Sequence, residues 1–226
     1  DALSPSQRQF ARSVASYAAG ISDQLAGRLP AALARYRHSI LLNPDFDMLY
    51  LRTAGVYNEL GDADSGLAIL KKLTQQRPEH VDGYVWLGAL AKASGNEPLA
   101  LASFRHAMRL DPGNPDIYTD LASAYLAEEQ MEKAILVMER AAKNMPNSAQ
   151  VILTLAQLYM LKSEQSTDPE SQDIYRKQSL ETMVEHSALH RDDVDYLLFL
   201  GESYIADGQI DAAVPVYEKL TQIQPD

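Results

Sequence analysis

His186 and His190 stand four residues apart, a spacing that would place two imidazoles on one face of a helix, where they could hold a divalent metal. No HExxH context surrounds them and no third ligand is evident, so the pair reads as a solvated helix face. His38 and His106 are expected to face solvent, and His80 to sit in a turn after Pro78. The acid pairs Glu128-Glu129 and Asp192-Asp193 lie near expected helix ends, where exposure is the default. There is no phosphate-cradling glycine run and no G-x-S-x-G nucleophile elbow. Cysteine is absent, which excludes disulfides, thiolate metal sites and cysteine nucleophiles. Catalysis needs converging groups with perturbed acidities, and none of these motifs supplies them. The expectation is no catalytic set, no cofactor and no metal. The side chain better suited to recognition is Trp86, the only tryptophan, because large aromatics on accessible faces are common binding anchors.

The bulk properties narrow the partners. A net charge of −11 argues against a nucleic-acid backbone and against an anionic membrane surface, both of which attract clustered Lys and Arg. No run approaches 18 uninterrupted apolar residues, so no membrane-spanning segment is expected. Ala and Leu are abundant, which favours helix. The chain starts at Asp1 rather than Met and reads as a trimmed or processed product, upstream of which a signal or anchor would be invisible. The compartment stays open between the cytoplasm and the bacterial envelope.

The elements that carry these residues are set by a ruler. Pro44, Pro78, Pro112 and Pro146 stand 34 residues apart, and Pro225 fits if about 11 residues are inserted. A fixed period of this length signals stacked supersecondary units. Seventeen residues before the proline stand Gly27, Gly61, Gly95 and Gly208, suited to the left-handed turn that ends a helix; Glu129 and Ser163 break the series. Bulky residues Tyr50, Tyr84, Tyr118, Ile152 and Leu197 open a first helix in units two to six, while the first unit departs with Ser16 in that slot. They are followed by Leu87-Gly88, Leu121-Ala122, Leu155-Ala156 and Leu200-Gly201, then by Tyr57, Ala91, Tyr125, Tyr159 and Tyr204, an i, i+3, i+4, i+7 pattern. A second helix carries Ala32, Gly66, Ala100, Ala134 and Ala213, then Tyr36, Leu70, Phe104, Met138 and Tyr217. Small residues followed by large ones suit a helix packed into its partner's groove.

In residues 81–112 the series reads Tyr84, Leu87, Gly88, Gly95, Ala100, Phe104, Ala107 and Pro112, which resembles the tetratricopeptide repeat family over about residues 13–226. The fold expected is all-α: a right-handed α-solenoid of about six helix–turn–helix repeats, forming one domain over 1–226. The repeat limits are 13–46, 47–80, 81–114, 115–148, 149–193 and 194–226, with an insertion near 164–174. Residues 4–12 are expected to extend the first helix backward, with Ser4 as cap and Pro5 just inside. The insertion is expected as a longer loop followed by an over-long helix from about Asp168 to His190. Pro215 should weaken the last helix's first turns. Leu220, Val216 and Ile223 are expected to form a sticky C-terminal edge, since a terminal repeat exposes an apolar side.

The resemblance implies a function as well. In similar proteins the first helix of each unit lines a concave surface that takes extended or helical peptides. The matching slots include Tyr17, Arg52, Asn58, Asp82, Trp86, Lys92, Asp116, Asp120, Gln157, Phe199 and Glu202. A subset of the family grips a chaperone's C-terminal carboxylate through Lys and Asn; those slots hold Tyr17, Ile21, Arg52, Asp82 and Trp86 here, so that clamp is absent. The ligand expected is a mixed apolar and basic peptide set against Asp82, Asp116 and Asp120. The leading function is a non-enzymatic scaffold for protein or peptide partners. Self-association through the C-terminal edge and service as the substrate-recruiting arm of a longer enzyme are the alternatives.

Overall fold

The computed structural model describes residues 3–224, so the last ruler proline, Pro225, lies outside the described residues. Twelve helices and no strand are found among them. The chain groups into two compact units, Asp1–Asp111 and Pro112–Asp226.

The first unit holds α1 (Pro5–Leu25), α2 (Leu29–Leu42), α3 (Met48–Glu59), α4 (Ala63–Gln76), α5 (Val81–Ala93) and α6 (Glu97–Leu110). The second holds α7 (Pro115–Ala127), α8 (Met131–Asn144), α9 (Ala149–Gln165), α10 (Pro169–His186), α11 (Val194–Ala206) and α12 (Ile210–Ile223). Each odd helix pairs with the even helix that follows it, three hairpins in each unit. Inside a unit the even helix also packs on the next odd one: α2 on α3 and α4 on α5, then α8 on α9 and α10 on α11. Odd helices adjoin as well, α3 with α5, and α9 with both α7 and α11. This is the arrangement of an all-α solenoid of helix hairpins.

Local chemistry explains the boundaries. Ser4 accepts from the Gln7 amide while Gln7 reaches back to the Ser4 amide, a reciprocal cap that starts α1. Asp62, Asn96, Asn114, Ser148, Asp168 and Asp193 cap six later helices through their side chains. Gly27, Gly61, Gly95 and Gly208 take φ between 70° and 77° at the turns inside hairpins. Glu129, which fills the same slot in the fourth hairpin, adopts φ 56°.

The core is built on one recurring contact. A Cβ added to Gly88 would lie 2.8 Å from the Phe104 ring, one at Gly201 2.8 Å from Tyr217, and one at Gly20 2.5 Å from Tyr36. Where the even helix carries Leu70 or Met138 instead of an aromatic ring, the odd helix carries Ala54 or Ala122 at that slot. A ring needs the absence of a Cβ beneath it; a thinner aliphatic chain tolerates one. The tyrosines at the bulky slot add a polar tie, as Tyr50 Oη donates to Pro44 O and Tyr118 Oη to Pro112 O.

The fifth hairpin departs from the sequence expectation. No long loop forms; α9 runs through to Gln165, and only residues 166–168 separate it from α10. The inserted residues are absorbed by lengthening helices, to 17 residues in α9 and 18 in α10. Ser163, which lacks the freedom of glycine to turn, stays helical and buried and donates to Gln172 O. The second helix ends at His186 rather than His190, with residues 187–190 in turns. Pro215 lies inside α12 without ending it.

Candidate functional site

All eleven candidate binding residues lie on odd-numbered helices. In the first unit Tyr17 is on α1, Arg52 and Asn58 on α3, and Asp82, Trp86 and Lys92 on α5. In the second, Asp116 and Asp120 are on α7, Gln157 on α9, and Phe199 and Glu202 on α11. Asp82 thus belongs to one unit and the Asp116–Asp120 pair to the other.

Trp86 is 46% exposed, although it is the largest side chain of the molecule. The rim of its six-membered ring lies 3.8 Å from where a Cβ of Gly55 would stand, so the indole rests over the bare backbone of α3. Arg52 and Asp82 are exposed on the same two helices. Tyr17 instead packs inward at its edges, with ring centroids 5.9 Å from Tyr36 and 5.2 Å from Phe46. Gln24 ties three helices, accepting from Tyr36 Oη and donating to Glu59 Oε1 at 2.7 Å. In the second unit Asp116 accepts from Gln150 Nε2 of α9, Gln157 and Glu202 are exposed, and Phe199 is half-buried.

The histidines are not a metal pair. His186 closes α10 with Nδ1 at 2.9 Å from Thr182 O, whereas His190 lies beyond the helix and is buried. His190 Nε2 is 3.3 Å from Pro146 O and its ring sits 4.7 Å from that of Tyr196, so the expectation of a solvated face fails for it. The helix stops before His190, and the shared face is lost. His106 also departs from expectation: its ring stacks on Tyr84 at 4.0 Å. His80 does more than turn the chain, since Nδ1 accepts the Gly83 amide and caps α5. No cluster of three or more potential metal ligands occurs among the described residues. Nor is any helix there long and apolar enough to cross a membrane.

Two features escaped the sequence reading. One is a polar network beside the fifth hairpin. Tyr159 Oη donates to Glu139 at 2.6 Å, and burial, reinforced by that carboxylate, pushes the phenol's pKa up. Lys162 donates to Glu132 at 3.0 Å and lies over the Tyr175 ring. Burial opposes its charge, but Tyr175 and Glu132 together outweigh burial and raise its pKa. The other is charge placement. Residues 1–111 carry 12 Lys and Arg against 11 Asp and Glu, while residues 112–226 carry 8 against 20. Counting each half separately reveals this; the whole-chain balance conceals it.

Known proteins agree with this architecture. Tetratricopeptide repeat models match residues 59–115, 91–158 and 194–226, together more than half of the sequence. The chain belongs to the tetratricopeptide repeat family. Among solved structures it is similar to MamA, at 16% identity over 82% of this chain and 95% of that one, with a TM-score of 0.60. PilF of Pseudomonas aeruginosa aligns over 96% of this chain and 94% of its own at 15% identity, TM-score 0.59. YrrB, described as a TPR protein with an unusual peptide-binding site, aligns at 18% identity over 84% of this chain and 93% of its own, TM-score 0.52. Among curated relatives, the "Probable biofilm formation methyltransferase WspC" of Pseudomonas putida is 29% identical over 83 residues, 37% of this chain. The matched stretch spans 20% of that protein, and the first curated relatives are covered over no more than about a third of their length.

Proposed function

We propose that the chain is a non-catalytic scaffold that holds peptide segments of other proteins against the face formed by its odd-numbered helices. The observation that carries this reading is Trp86: a large aromatic side chain, half exposed over the bare backbone of Gly55. Aromatic anchors of this kind dominate binding energies at interfaces. Membership of a repeat family suited to protein recognition supports it, as does the peptide-binding site reported for YrrB. The ligand combines an apolar side chain placed at Trp86 with a basic residue drawn to Asp82, exposed one turn away on the same helix.

An array of apolar–basic peptides, with acidic peptides of equal hydropathy as controls, tests this directly. Wild-type protein should favour the basic set, Trp86→Ala should lose most of that binding, and Asp82→Lys should narrow the preference over acidic controls. Equal retention by wild type and both variants would refute the assignment.

A second reading is favoured by the match to a methyltransferase: the array is the substrate-recruiting arm of a longer enzyme. Its test is whether the array, added in trans, competes with recruitment by such a full-length enzyme.

A further inference from the structure

Each end of the helix series leaves one helix face uncovered, and the two faces differ in charge. At the first end α1 buries Ser13, Ser16 and Gly20. Much of its remaining surface is apolar and exposed, with Phe10 and Val14 one turn apart beside Ala11, Ala15 and Ala18. Arg8 and Arg12 flank this stripe, and α1 contains no acid before Asp23. Neither arginine has an acidic partner among the described residues.

At the other end, α11 and α12 frame a cleft of about 410 Å³ lined by Ile205, Ile210, Val214, Tyr217, Glu218 and Thr221. Val214 fills the repeat slot held by Leu67 in α4 and Ile135 in α8, each 6% exposed where α5 or α9 packs on that helix. Val214 is 49% exposed. The cleft is therefore the seat that an odd helix takes in the interior of each unit. Its surroundings are acidic: α11 and α12 carry Asp195, Glu202, Asp211 and Glu218 against one cation, Lys219, whose ammonium lies 2.8 Å from Asp192. This replaces the sequence expectation, because Leu220, Val216 and Ile223 are half-buried while Ile205, Ile210 and Val214 form the open edge.

We propose that a second copy of this chain supplies the missing helix, α1 of one copy seating in the α11–α12 cleft of another. Phe10 and Val14 enter beside Ile205 and Val214, and Arg8 and Arg12 meet Asp211 and Glu218. Pairing like ends would oppose arginine to arginine or acid to acid, so the contact is head-to-tail.

Sedimentation velocity over a concentration series, at low and high NaCl, reads this out. The wild-type chain should gain mass with concentration and lose it with salt, because exposed charges are screened. Arg8→Glu/Arg12→Glu and Asp211→Arg/Glu218→Arg, each with wild-type helical content by circular dichroism, should each stay monomeric alone. Mixed together they should associate, since each variant's reversed end now complements the other's. A wild type that stays monomeric would overturn the proposal and leave the cleft to a following stretch of chain or a foreign helix. Association unchanged by either variant, or a mixture that remains monomeric, would overturn it too.

Discussion

The third hairpin, α5–α6, and the fifth, α9–α10, join two helices by different physics. In the third, shape does the joining: Phe104 lies 1% exposed on the surface left bare by Gly88, and Gly95 turns the chain with φ 73°. In the fifth, beside buried Leu155, Leu180 and Met183, hydrogen bonds stand where that ring and glycine would be. Ser179 Oγ donates to Ala156 O at 2.9 Å and Ser163 Oγ to Gln172 O at 2.7 Å, where the third hairpin has a ring and a turn glycine. Neutral hydrogen bonds contribute about 1 kcal/mol each, less than a buried aromatic ring. The regular frame should therefore fail sharply when its shape is altered, and the fifth hairpin gradually when its bonds are removed.

Phe104→Ala should be the most damaging change, costing about 3–5 kcal/mol by urea denaturation. Gly88→Ala comes next. A Cβ there would meet three ring atoms at 2.8 to 2.9 Å, and overpacking of this kind costs roughly 1–3 kcal/mol. The gain in helix propensity, about 1 kcal/mol, offsets only part of it. Adding Phe104→Leu to Gly88→Ala should recover stability relative to Gly88→Ala alone, because Leu70 already packs opposite Ala54. If the double variant is no better, ring shape is not what the glycine serves. In the fifth hairpin Ser179→Ala should cost only about 1 kcal/mol, the Ala156 carbonyl losing a side-chain donor. A loss as large as that from Phe104→Ala would erase the distinction between the hairpins. Trp86→Ala should sit lowest, within about 0.5 kcal/mol of wild type in stability, as expected for a surface side chain away from the core.

The frame was legible in the sequence because stacked helices repeat their constraints. The 34-residue ruler and the glycine turns follow from a geometry copied from hairpin to hairpin, and Pro44 to Pro146 report it without tertiary knowledge. The fifth hairpin was less legible. Helix and loop are both compatible with a polar stretch such as residues 163–170, and only the buried bonds of Ser163 and Gln172 decide for helix. His190 was misplaced for the same reason, since the end of α10 depends on packing against Pro146 and Tyr196. The odd-helix placement of the candidate residues followed from their repeat slots. The exposure of Trp86 did not, because periodicity gives a slot's direction and not how far a side chain reaches past its neighbour. The apolar C-terminal edge was expected, but its members were misassigned: Val216 and Leu220 lie inward and Val214 outward, a difference of helix phase that the ruler does not resolve.

The most direct test of the binding face uses the single tryptophan as reporter. Fluorescence of Trp86 is followed while an apolar–basic peptide from the array is added, with a labelled copy of the peptide measured in parallel by anisotropy. The expected result is a saturable blue shift of the indole emission that tracks the anisotropy, as peptide displaces water from the exposed ring. Saturating anisotropy with an unchanged Trp86 spectrum would contradict the account, placing the bound segment away from the odd-helix face of the first unit.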